Sequence, residues 1–206
     1  MINKDLNNRA KLICLVVIIS GLSMSACSTS NDDDDENAAV LAGLDGTWMR
    51  DCQTSNDGTS SSIDTVIIDG DFSERIRQNY GDSACLQASS RTSHDVTISF
   101  GESSILPDSG LTVQQVDLMV GELRLTPQTE ALVVDWNAAN LCGRSDYSLN
   151  SVTIVAFNCL PAFGDGNLFG LWAVDEDVLY FGIPADALTA EERSTELDFS
   201  SPFFRQ

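Results

Sequence analysis

The chain has 206 residues, of which 11 are basic, 31 acidic and one histidine, for a formal net charge of −20. A field of that sign repels phosphate backbones, so nucleic acid is excluded as a partner. The length allows one domain of ordinary size with a real core, once non-globular ends are set aside.

Residues 1–26 have the order of a targeting segment. Lys4, Arg9 and Lys11 give it a positive start, and Leu12 to Leu22 is apolar except for Ser20 and Gly21. That run is too short to cross a bilayer as a helix, which needs ~20 apolar residues. It ends in Leu22-Ser23-Met24-Ser25-Ala26-Cys27, which resembles the lipobox of bacterial lipoproteins. The resemblance implies that Cys27 is the first mature residue and carries several acyl chains, enough for stable attachment to a membrane. Ser28 in place of Asp implies outer-membrane sorting, as in Gram-negative lipoproteins. The alternative is an ordinary secretory signal cleaved near Ala26.

With Cys27, residues 28–39 form a polar tether that includes Asp32-Asp33-Asp34-Asp35-Glu36. Such a segment buries no apolar surface, and its like charges extend it. Residues 40–206 are expected to form a single β-barrel domain. Three bases and one acid lie in the leader, which leaves eight arginines, no lysine and thirty acids beyond it.

Of six cysteines, Cys14 leaves with the leader and Cys27 is assigned to lipid. Cys52, Cys85, Cys142 and Cys159 remain, an even number in an exported chain, which implies two disulfides. Three pairings are open. The expected one joins nearest neighbours across adjacent strands, Cys52 with Cys85 and Cys142 with Cys159. With no Cys-x-x-Cys and only His94 as an imidazole, neither a metal nor another cofactor is expected.

From residue 44 on, short apolar runs rich in Val, Ile, Phe and Thr alternate with Gly, Asp, Asn, Ser and Pro, the pattern of an antiparallel all-β domain. Strands are expected at Gly46 to Cys52 and at Ile63 to Ile68, with a hairpin turn at Asp69-Gly70. In the next strand Phe72, Ile76 and Tyr80 share one face and Arg75 and Arg77 the other, which predicts an apolar inner face and an arginine outer one. His94, Val96, Ile98 and Phe100 share a face of the fourth strand. Pro107 to Gly110 is a turn. Strands follow over Val113 to Val120, then from Gly121 on to Leu125 as a further strand, and over Leu132 to Trp136 and Val152 to Phe157. Asp175-Glu176-Asp177 joins the strands Phe169 to Val174 and Val178 to Gly182. Residues 184–198 look irregular, and Phe203-Phe204 closes the sheet. Eight to ten strands are enough for a barrel or a sandwich.

Leu44-x-Gly46-Thr47-Trp48 resembles the Gly-x-Trp signature of lipocalins, and Ser145-Asp146-Tyr147 is similar to their Thr-Asp-Tyr. For the third signature, an Arg before a C-terminal helix, the candidate is Arg193. Gly46-Thr47-Trp48-x-x-x-Cys52, Tyr80-x-Asp82-x-x-Cys85 and Leu179-Tyr180-Phe181-Gly182 together resemble a group of small bacterial lipoproteins. The resemblance implies a lipocalin-like barrel closed at its base by Gly46 and Trp48, with a pocket for a small hydrophobic ligand. Phe72, Ile76, Tyr80, Ile98, Phe100, Trp136 and Phe181 are the candidate pocket residues.

No catalytic constellation is legible. Asp95, next to His94 on a strand, points to the opposite face and cannot orient its imidazole, and no Gly-x-Ser-x-Gly elbow occurs. Two non-enzymatic readings follow. One is an envelope-anchored binding protein for an apolar or amphipathic molecule. The other is a structural or interaction lipoprotein whose barrel is filled by its own side chains. A continuous cavity above ~300 Å³ separates them.

Overall fold

The computed structural model describes residues 43–206. The leader, Cys27, the acidic tether and the first residues assigned to the barrel domain lie outside the described residues. The elements are β1 (Gly46–Met49), β2 (Gln53–Thr54), β3 (Ser61–Asp69), β4 (Phe72–Tyr80), β5 (Ala88–Ile105), β6 (Thr112–Pro127), helix α1 (Glu130–Ala138), β7 (Thr153–Val155), β8 (Asn167–Asp175), β9 (Val178–Phe181) and β10 (Phe203–Arg205).

Pairing runs β1-β10-β9-β8-β6-β5-β4-β3, and β3 pairs back to β1, so eight strands close a ring. Every pair is antiparallel. Around the ring each strand neighbours the next in sequence, which makes an up-and-down barrel and removes the sheet edges. β2 extends β3 and β7 extends β6 outside the ring. As expected from the sequence, the Phe203-Phe204 segment closes the sheet, by pairing with both β1 and β9.

Local chemistry sets the turns. Gly70, at φ 59°, sits in the tight β3–β4 turn, where only a residue that tolerates positive φ fits without strain. Gly121 marks a bulge: His94 pairs with Leu123 but Val96 pairs with Val120. The extra residue on β6 re-aims that strand. Beyond it Leu123 and Leu125 leave the barrel core and pack with Tyr147 and Val155 in a second cluster.

The segment Leu132 to Trp136 is helical, not a strand. Its half-buried residues are Leu132, Val133, Trp136 and Asn137, spaced as one face of a helix rather than as alternate residues of a strand. The Thr129 side chain caps it by accepting from the Leu132 N–H at 3.3 Å, and Glu130 sits favourably in the first turn. The Asn137 side chain then bonds both main-chain polar groups of Tyr147, so the helix anchors the following loop.

Both disulfides have the expected pairing, Cys52–Cys85 and Cys142–Cys159. They join loops and 3-10 turns rather than adjacent strands. Cys85 lies in the β4–β5 loop, and Cys159 ends a 3-10 turn after β7.

Candidate functional site

The barrel is filled at one end and hollow at the other. Trp48 and Trp172 are fully buried in the filled end. They pack with Leu44, Ile68, Ile98 and Val116. The Trp48 indole N–H donates to the Leu44 carbonyl at 2.8 Å. Trp48 is thus a buried residue of the filled end, with Gly46 two residues before it on β1.

Toward the other end the inward side chains change character along each strand. On β3, Ile68 and Val66 give way to Asp64; on β4, Ser73 gives way to Arg75 and Arg77; on β5, Ile98 and Val96 give way to His94. These polar groups line a cavity of about 570 Å³ together with Arg50 and Asp186. Leu160 and Phe163 from the loop after Cys159 also line it, as do Phe181 of β9 and Phe203 of β10. An eight-stranded barrel is about wide enough to hold one small ligand in such a mouth.

The charges are ordered. Arg77 donates through Nε and Nη2 to the two oxygens of Asp64, at 2.6 and 3.0 Å, and Arg50 donates to the same carboxylate. Burial alone would raise the pKa of Asp64, but Arg77 and Arg50 outweigh it and hold the group below the usual carboxylate range. Arg75 donates only through Nη1, to Asp186 at 2.5 Å. Its guanidinium stands over the rings of Trp172 and Phe181, at 5.6 and 5.4 Å, which favours a cation there. Arg50 lies over Phe203 at 5.0 Å. His94 stacks edge-on to Phe163 with centroids 4.8 Å apart. Burial first, and the Arg75 charge second, lower its pKa to about 4, so it is neutral at pH 7. Three arginines against two aspartates leave this cavity with a net positive charge, inside a strongly acidic chain.

The residues expected to line a pocket divide three ways. Phe181 lines the cavity, and Ile76 borders it although it lies between Arg75 and Arg77, on the opposite face of β4. Ile98 belongs to the filled core, and the half-buried Phe100 packs against it. Phe72 is 44% exposed, Tyr80 is half-buried away from the cavity, and Trp136 packs on Tyr147 in the second cluster. The polarity expected of β4 is reversed: its arginine face points inward. The alternation itself holds, but charge does not mark the outside of this strand. Asp64, directly across from Arg77 in the β3–β4 register, makes an inward arginine tolerable. Asp95 does turn away from His94 and is bound by Arg124 at 2.5 and 2.7 Å. Arg193, the candidate third lipocalin signature, pairs with Asp117 and stands over Phe169. The arginine that reaches Trp48 is Arg205.

Fold and cavity together define a closed up-and-down antiparallel barrel of eight strands with one charged, partly apolar open end. Compared with known proteins, the chain matches no family model and no curated protein sequence.

Proposed function

We propose that the chain is a lipid-anchored protein of the cell envelope, held at the outer membrane through Cys27, whose lipocalin-like barrel binds one small amphipathic molecule without transforming it. The observation that carries this reading is the cavity of about 570 Å³ in the open end of the barrel. It exceeds the ~300 Å³ floor of small-molecule sites, which disfavours a barrel filled by its own side chains. The up-and-down ring of eight strands and the Gly46–Trp48 base support the lipocalin-like reading, and Leu22 to Cys27 supports the anchor. The mixed wall matches an amphipathic guest: apolar groups from Leu160, Phe163, Leu168 and Phe181 stand beside a small set of placed polar ones.

The test is native mass spectrometry of the full chain expressed with its own leader in an oxidising envelope, followed by solvent extraction of what co-purifies. The expected result is an acylated N-terminal Cys27 peptide and a co-purifying amphipathic molecule released by unfolding. A chain that carries nothing and also refuses a panel of amphiphiles would return the interaction-protein reading. An unmodified Cys27 thiol would remove the anchor.

A further inference from the structure

Arg75 and Arg77 sit two residues apart on the same face of β4, and both meet a carboxylate, but differently. Arg77 uses its Nε–Nη2 edge to grip both oxygens of Asp64, the bidentate geometry that matches a guanidinium to a carboxylate. Arg75 meets Asp186 through Nη1 alone. Its Nε and Nη2 are buried and have no hydrogen-bond partner among the described residues, and the same holds for Oδ1 of Asp186. Leaving buried donors of a charged group unpaired is costly, so the pair is half made.

The two partners also differ in how they are held. Asp64 is fixed in the middle of β3. Asp186 comes from the irregular segment after β9, 111 residues from Arg75 in sequence. Its backbone is tied by the neighbouring Ala187, which exchanges two hydrogen bonds with Phe169 at 2.8 and 2.9 Å. Its side chain is 22% exposed at the cavity wall. Asp186 is thus a carboxylate at the cavity wall that meets the arginine through one oxygen only.

We propose that the cavity selects amphiphiles bearing a carboxylate, and that the ligand's acid group replaces Asp186 on Arg75. This rests on the binding-protein reading above. Asp186 then acts as a built-in competitor that keeps the arginine partnered between ligands. A free carboxylate can turn to present two oxygens where Asp186 presents one. The other charges agree: Arg50 and Arg77 more than balance Asp64, and the rings of Phe163, Phe181 and Phe203 flank the position for the apolar part.

The experiment uses the full chain isolated from envelopes in amphipol, with chain-free amphipol as the blank. Octanoate, octanol and octylammonium are titrated by calorimetry at pH 7 into wild type, Arg75→Gln and Asp186→Asn. Octanoate is expected to bind about tenfold more tightly than octanol, the worth of a charge-assisted pair. Asp186→Asn should tighten octanoate several-fold and leave octanol unchanged, a gain that a merely structural role for Asp186 does not produce. Arg75→Gln should abolish the preference for octanoate. Wild type that binds octanol and octanoate equally, or prefers octylammonium, overturns the acid site while leaving a carrier. Asp186→Asn that weakens octanoate also overturns it. Binding of none of the three removes the carrier reading and this proposal together. Should Arg75→Gln fail to fold, wild type and Asp186→Asn still decide.

Discussion

Arg205 of the last strand lies over the indole of Trp48 in the first, its guanidinium carbon 4.1 Å from the ring centroid. Its Nη1 and Nη2 donate to the carbonyls of Asp45 and Gly43 at 2.6 and 2.8 Å. One side chain thus satisfies backbone acceptors ahead of β1 and ties the last strand to the first. Gly46 completes the clamp. Its φ is 140°, and a Cβ there would come within 2.7 Å of Arg205 Nη1.

Arg205→Met is therefore expected to lower unfolding free energy by about 2 kcal/mol, the combined value of a cation–π contact and hydrogen bonds from a charged donor. Gly46→Ala should cost about 2 kcal/mol by a different route, through backbone strain and displacement of the guanidinium. Because the two share Arg205, the double variant should cost less than the sum. Urea unfolding of the three variants checks this, and strict additivity would contradict the clamp.

Asp64 is the counter-charge that lets Arg50 and Arg77 sit at the cavity. Asp64→Asn keeps the shape but leaves two guanidinium groups facing a neutral amide. The expected loss is about 2–3 kcal/mol, below the figure for a wholly buried pair because Arg77 is 55% exposed. Arg77→Met should cost less, about 1 kcal/mol or under, since Asp64 retains Arg50. Denaturant midpoints of the two variants test the order, and a larger loss for Arg77→Met would refute it.

Much of this fold was legible because antiparallel strands with tight turns announce themselves. Alternation in β3, β4 and β5, Asp-Gly at the first hairpin and the acidic turn after β8 each reflect a local rule. The closing role of Phe203-Phe204 and the disulfide pairing were also within reach. The helix α1 was not, because Leu132-Val133-Val134 is as apolar and β-branched as a strand, and only the half-buried spacing of Leu132, Val133 and Trp136 separates the two. The cavity was legible only in part. Phe181 carried an apolar signal, but Arg75, Asp64 and Asp186 are inward charges whose meaning depends on partners as far as 111 residues away. A clue was available: three of the eight arginines beyond the leader fall between residues 50 and 77, and all three line the cavity.

The two disulfides should act unequally on stability and on binding. Loop entropy gives about 3 kcal/mol for the Cys142–Cys159 loop and slightly more, about 4 kcal/mol, for Cys52–Cys85, from separations of 17 and 33 residues. Leu160 and Phe163, which follow Cys159 directly, line the cavity. Replacing Cys142 and Cys159 together by Ser should therefore weaken uptake of a hydrophobic dye several-fold at a temperature where the variant is still folded. The Cys52 and Cys85 pair of substitutions, though costlier in stability, should affect dye uptake less. The reverse ranking in dye titration would contradict a role for the Leu160 and Phe163 segment in binding.

His94 links the cavity to pH. It is packed against Phe163, and neither ring nitrogen has a hydrogen-bond partner among the described residues. Burial and Arg75 lower its pKa from 6.5 to about 4. The unfolded chain takes up a proton near 6.5 and the folded chain only near 4, so between those values the unfolded state binds more protons. The contribution of His94 to stability is thus complete above about pH 6.5 and is lost progressively as pH falls toward about 4, by at most about 3 kcal/mol. Asp64, whose pKa is also lowered, adds loss of the same sign, but only at the lower pH where carboxylates titrate. His94→Gln should flatten the unfolding free energy between pH 6.5 and about 4.5 and leave the steeper acid limb in place. Urea titrations at half-unit pH steps would show this, and a wild-type curve already flat across that window would mean that His94 is solvated in the folded barrel.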